Sequence, residues 1–152
     1  MSATGPEPTL KPLSAYSSMA LRPARLASAL LAVAAIVLAA SQPIPWHHLV
    51  IPAAGYRVVR GVDGASWILG IAALALLMAL IFWRKRPEFY SKWCMVFIAF
   101  AATLGMFVDY INWQASAGQL YVAAYFGPGF YVALGGTVVV VLATVVAWLA
   151  RD

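Results

Sequence analysis

Charged residues and cysteine are scarce in this 152-residue chain, and each shortage excludes whole classes of protein. Charged residues make up 10% of the sequence and hydrophobic residues 64%, against about 25% and about 45–50% in soluble domains. A soluble globular fold is excluded because its core could not hide so much apolar surface, and a disordered chain is excluded for the same reason. One cysteine, Cys94, allows neither an intrachain disulfide nor a paired-cysteine metal or redox motif.

The chain also lacks the short motifs of common catalytic and cofactor sites. No P-loop, GxGxxG, HExxH, GxSxG or CxxCH pattern occurs. Ten basic residues against five acidic ones could indicate nucleic acid. They lie at the ends of apolar segments, however, which favours a role in membrane topology. We therefore expect no enzymatic activity, no catalytic residues, no cofactor and no nucleic-acid partner.

Four long apolar segments dominate what is present. They cover residues 21–40, 66–83, 93–111 and 130–150, each close to the roughly 20 helical residues that cross a bilayer. Since lipid offers backbone groups no partner, these segments should be helices. The expected fold is an all-α membrane protein with a flexible tail at 1–20 and a four-helix transmembrane domain at 21–152. Its outer loops would be 41–65 and 112–129.

The first apolar segment has a second interpretation. Arg22 and Arg25 precede it, and the sequence Ala39-Ala40-Ser41 at its end resembles a cleavage site for signal peptidase. The apolar run is long for a signal peptide, which favours retention as a membrane anchor. Whether this segment is ever cleaved stays open at this point.

The basic residues predict the orientation of the spans. With the N-terminus inside, only Arg57 and Arg60 of the ten basic residues lie outside, as the positive-inside rule requires. The six tryptophans lie near the predicted span boundaries and indicate the same topology. We expect a multi-pass protein of the inner (plasma) membrane with both termini cytoplasmic. Four inner basic residues are the candidates for topology control and for contact with anionic lipid: Arg84, Lys85, Arg86 and Lys92.

The second and fourth spans resemble each other. GASWILG and GFYVALG match at three of seven positions, which suggests two parallel hairpin repeats. The shared composition of apolar helices is the competing explanation. Glycines allow close approach between helices. We expect helix-packing contacts at Gly64, Gly70, Gly129, Gly135 and Gly136.

Asp109 is the sharpest candidate for a functional group. It is the only acidic residue within the predicted spans, where an ionised carboxylate is costly. Because Arg57 and Arg60 are the permanent cations of the outer side, we expect Asp109 to pair with one of them or with a loop tyrosine. A proton or cation site is the alternative.

Two adjacent histidines, His47 and His48, lie beside Trp46 in the first outer loop. On an extended chain they would point in opposite directions, so they rarely share one metal ion. No cysteine, glutamate or third histidine is near them in the sequence. Interfacial histidines are the favoured interpretation, while a metal or haem ligand and a pH sensor are weaker alternatives.

Three short sequences give the chain a resemblance to small uncharacterised four-span proteins of actinobacterial inner membranes. They are GVDG before the second span, RKRP after it, and GPGFYVALGG at the fourth span, within residues 21–150. The resemblance implies a membrane location and no particular activity.

We expect an accessory or assembly subunit of a larger membrane complex, whose partners are lipid and other membrane subunits or a second copy. One alternative is an oligomeric transporter or channel subunit that uses Asp109. Another is a metal- or haem-binding membrane protein that uses His47 or His48.

Overall fold

The computed structural model of the chain describes residues 13–51, 54–85, 88–120 and 123–149. Its elements in chain order are α1 (Leu13–Ser41), β1 (Pro45–Ile51), β2 (Gly55–Arg60), α2 (Gly61–Gly64), α3 (Trp67–Arg84), α4 (Phe89–Leu120), β3 (Ala123–Phe126) and α5 (Pro128–Leu149). The helices α1, α3, α4 and α5 each contain a segment long and apolar enough to cross a membrane. The prediction of a mainly helical chain with four such helices is confirmed.

The helix α1 packs against both α3 and α5, and α4 packs against the same two helices. The buried face of α1 carries small side chains, among them Ala27 and Ala34, which are 0% exposed. Small residues let helix backbones approach closely, so that a polar group can bridge them. The Ser28 hydroxyl of α1 accordingly donates to the Ala79 carbonyl of α3 over 2.7 Å.

The helix α3 has apolar residues on all sides. Its buried residues recur every three or four positions, while Leu77 and Leu80 between them are 52% and 56% exposed. A helix at the surface of a soluble protein would carry polar residues on its exposed face. Large apolar side chains on that face are compatible with a multi-pass membrane protein, in which lipid replaces water.

A three-stranded antiparallel sheet at one end of the bundle is the main difference from the predicted all-α fold. The strand β1 pairs with β2 in a hairpin and with β3 from the other connection, in the order β2-β1-β3. We call this end of the bundle the sheet end. The predicted loops 41–65 and 112–129 therefore meet in one sheet and are not separate loops.

Two helices extend beyond their predicted bounds. The helix α1 begins at Leu13, inside the predicted tail, and α4 runs from Phe89 to Leu120, past both ends of the predicted span 93–111. The hydrocarbon thickness limits the apolar segment but not the helix. Residues 112–120 are polar yet compatible with a helix, so α4 continues beyond its apolar part.

The predicted packing role is wrong for Gly64, Gly70 and Gly135. All three are exposed, and a methyl group added at any of them would meet no atom within 4 Å. The main argument for two hairpin repeats is lost with them, since it rested on equivalent contacts at Gly70 and Gly135.

Two of the predicted glycine contacts do occur. A methyl group at Gly136 of α5 would lie 2.8 Å from the Leu38 side chain of α1, and one at Gly129 would lie 2.6 Å from the Trp46 indole. Separations this short leave no room for a side chain. These two glycines therefore do allow the close approach that the sequence predicted.

Trp46 fastens the sheet to the bundle. It is 1% exposed, and its Nε1 donates to the Ser41 carbonyl over 2.9 Å, one of the carbonyls that the end of α1 leaves without a helical partner. Gly61 and Gly129 make room for the indole, since a methyl group at either would lie 2.6 Å from it. Trp46 is thus a core residue and not, as predicted, a tryptophan of the lipid interface.

Candidate functional site

His47 and Asp109 meet beneath the sheet. The strand β1 carries His47, and α4 carries Asp109 close to the sheet end. The His47 Nε2 and Asp109 Oδ2 atoms are 3.4 Å apart, and the two side chains are 8% and 21% exposed. The contact is an ion pair when the imidazole is protonated. It links the first connecting segment to the third membrane helix, which the sequence predicted for Asp109 with a different partner.

Neither predicted arginine reaches Asp109. Arg57 and Arg60 are exposed on β2, and no ion pair joins either of them to Asp109 in the described part of the chain. The sheet order gives the reason, because β2 is an edge strand and β1 is the central one. A permanent charge in the loop was a reasonable guess, but the pairing depends on which strand lies over α4.

Aromatic rings enclose the His47 imidazole. It stacks on the Trp113 indole of α4, with ring centroids 3.8 Å apart and planes inclined by 17°. Three further rings surround it, namely those of Trp46, Phe126 and Phe130. The His47 Nδ1 and Asp109 Oδ2 atoms are both buried without a hydrogen bond. The contact at 3.4 Å therefore acts through charge and not as a well-formed hydrogen bond.

His48 faces away from this cluster, as the alternation along a strand predicts. Its ring stacks on Tyr125 with centroids 4.9 Å apart, and its Nδ1 contacts the Tyr56 hydroxyl. A hydrogen bond with the Tyr125 phenol raises the pKa of Tyr56. Among the residues that the structure describes, no group of three His, Cys, Asp or Glu side chains could hold a metal ion.

A groove of about 470 Å³ opens beside Asp109. Trp67 of α3 forms one wall, and α4 forms the other with Gly105, Asp109 and Asn112. A methyl group at Gly105 would lie 2.4 Å from the Trp67 ring, so this glycine lets the indole lie flat against α4. Sequence reasoning missed the groove, although Gly105 and Asp109 have the four-residue spacing that places both on one helix face.

The predicted lipid contacts at the other end of the bundle divide into two groups. Arg84 and Lys85 are exposed at the end of α3 and line a groove of about 460 Å³ with apolar residues of that helix. Lys92 is only 5% exposed, so it packs inside the protein and is not available to lipid. Arg86 lies outside the described residues.

No protein-family model, curated protein or solved structure matches this chain. The resemblance to actinobacterial four-span proteins therefore stays a prediction, and the function has to be argued from the chain's own geometry.

Proposed function

We propose that this protein is an accessory or assembly subunit of a larger complex in the plasma (inner) membrane. In this proposal the sheet end faces outward and both termini are cytoplasmic. The exposed Arg84 and Lys85 at the opposite end support that orientation. The protein would hold a partner and would catalyse no reaction.

The observation that carries the proposal is the open edge of the sheet. Five of the six residues of β2 are exposed, and β2 has a sheet neighbour on one side only. The Trp46 carbonyl accepts a hydrogen bond from the Gly127 N–H, so the even-numbered residues of β1 face β3. By alternation, the backbone groups of Tyr56 and Val58 point away from the sheet.

Unpaired backbone groups at a sheet edge can accept a strand from another protein. The charge of β2 indicates which strand would fit. Arg57 and Arg60 are exposed, and no described carboxylate forms an ion pair with either side chain. A second copy would bring these arginines together. We therefore propose that the partner supplies an extended segment with acidic side chains.

Co-purification from native membranes in mild detergent tests the proposal. We expect the wild-type protein to retain an acidic partner and Val58→Pro to lose it, because proline removes the outward N–H that the added strand needs. Val58→Thr is the matched control and should retain the partner, since threonine keeps the N–H. Both variants should show wild-type thermal stability, because the β1–β2 hydrogen bonds do not use this group.

Two results would count against the proposal. One is equal retention of the partner by Val58→Pro and Val58→Thr. The other is a wild-type protein that purifies without a partner, either alone or as a symmetric homo-oligomer. The homo-oligomer would favour the transporter or channel alternative.

The groove beside Asp109 is the observation that favours this second candidate. A carboxylate that lines a groove near the end of a membrane helix could lie on a path for protons or cations. Flux into vesicles that contain the purified protein should then vanish in Asp109→Asn. The metal- or haem-binding alternative lacks comparable support, since His47 and His48 face opposite ways.

A further inference from the structure

We propose that the groove between Trp67 and Asp109 binds an organic cation, namely an ammonium group carried on a short apolar body. The proposal is independent of the accessory role, because the groove lies between α3 and α4 and the open sheet edge lies on β2.

The charge of Asp109 is the first argument. No arginine or lysine forms an ion pair with this carboxylate in the described ranges, and its contact with His47 is electrostatic only when the imidazole is protonated. Asp109 lies in a helix segment that could cross a membrane, where an unpaired carboxylate is costly. The side chain is 21% exposed and lines the groove, so a cation can reach it.

The chemistry of the walls is the second argument. Indole faces attract cations within about 6 Å more strongly than other aromatic side chains do. Trp67 lies against Gly105 and forms the wall opposite the carboxylate. Asn112 is exposed three residues beyond Asp109 and offers an amide oxygen to an N–H donor. Apolar atoms of Leu104 and Val108 complete the lining for the body of the ligand.

The composition of the groove also excludes other ligand classes. Calcium requires about six to eight oxygen ligands, whereas the lining supplies one carboxylate and one side-chain amide. An anion would be repelled by Asp109. A volume of about 470 Å³ is within the range of about 300–1,000 Å³ typical of small-molecule sites. An ammonium with a short alkyl chain satisfies the charge, the indole and the apolar lining together.

The same chemistry occurs in two sources, a free amine and the ethanolamine headgroup of a phospholipid. Calorimetry with n-butylammonium on protein in a neutral detergent tests the first source. Native mass spectrometry of protein from bilayers that contain equal amounts of phosphatidylethanolamine and phosphatidylglycerol tests the second. We expect saturable binding in at least one experiment, and the one that succeeds identifies the source.

Neutral and anionic analogues test the role of charge on the unaltered protein. Whichever source binds, n-butanol and butyrate should neither bind the protein nor displace the amine or the ethanolamine lipid, because they have the alkyl chain without the positive charge. Equal binding of n-butanol would overturn the proposal. So would the failure of both the free amine and the ethanolamine lipid to bind.

The variants locate the site. Asp109→Asn should weaken amine binding, or selective retention of the ethanolamine lipid, by at least about tenfold, the loss expected for one interaction with a charged group. Asp63→Asn is the matched control, since Asp63 is also exposed near the sheet end but does not line the groove, and it should bind as the wild type does. Trp67→Phe should retain more affinity than Trp67→Leu. Wild-type affinity in Asp109→Asn would overturn the assignment.

Discussion

The pairing of His47 with Asp109 predicts a measurable coupling between the two side chains. The perturbation is a double-mutant cycle of His47→Phe, which keeps a ring against Trp113, and Asp109→Asn. At a separation of 3.4 Å two unit charges attract by about 5 kcal/mol in an effective dielectric of about 20. Desolvation offsets much of this attraction, and polar pairs in membrane proteins show couplings of about 0.6 to 1.7 kcal/mol.

We therefore expect a coupling of about 1–2 kcal/mol in the free energy of unfolding. The assay is reversible unfolding of the purified protein in mixed detergent–lipid micelles. His47→Phe should destabilise the protein more when Asp109 is present than when Asn replaces it, because the single variant leaves a carboxylate without its partner. The coupling should be larger at about pH 5 than at about pH 8, since only a protonated imidazole is positive.

A control cycle separates this pair from a general effect of Asp109. Arg57→Gln combined with Asp109→Asn should be additive within about 0.5 kcal/mol, because the two side chains do not meet. A His47–Asp109 coupling below about 0.5 kcal/mol at both pH values would refute the reasoning. A large Arg57–Asp109 coupling would restore the ion pair that the sequence predicted.

Three further predictions concern packing and topology. Gly136→Ala should destabilise the protein by about 1–3 kcal/mol, because the added methyl group meets Leu38 at 2.8 Å, whereas Gly135→Ala should be neutral or stabilising by up to about 1 kcal/mol; equal effects would contradict the packing of α1 on α5. Trp46→Phe should cost about 1–3 kcal/mol in unfolding free energy because it leaves the Ser41 carbonyl without its donor, and an unchanged stability would refute that role. A reporter fused after Asp152 should be cytoplasmic and one inserted at Ala54, in the exposed hairpin turn, should be external; the reverse result would invert the topology.

The four membrane helices could be predicted from the sequence because their signal is local. Each apolar run needs only its own length to indicate a span. The sheet depends on pairings between distant segments, since β1 pairs with β3 across more than 70 residues. The stretch PWHHLVI has no clean alternation of polar and apolar residues, so β1 was not recognised as a strand. The hairpin could have been found from GYRVVR, which follows a short turn-like PAAG segment.

The errors at the glycines and at Asp109 have physical causes. Gly135 and Gly136 are adjacent, and successive helix residues are about 100° apart around the axis, so the two could not face the same neighbour. For Asp109 the sequence predicted a cation from the first connecting segment, and the structure supplies His47 from that segment. Charge alone favoured Arg57 and Arg60, but the order of the strands, which composition does not reveal, decides the partner.

Residue-resolved amide hydrogen exchange tests the central claim most directly. The measurement compares the isolated protein with the complex purified through it. The proposed strand addition predicts that the amides of Tyr56 and Val58 exchange rapidly in the isolated protein and slowly in the complex. The amides of Arg57 and Val59, already bonded to β1, should be slow in both. Exchange at Tyr56 and Val58 that stays equally rapid in the complex would contradict the claim that this protein holds its partner through the edge of its sheet.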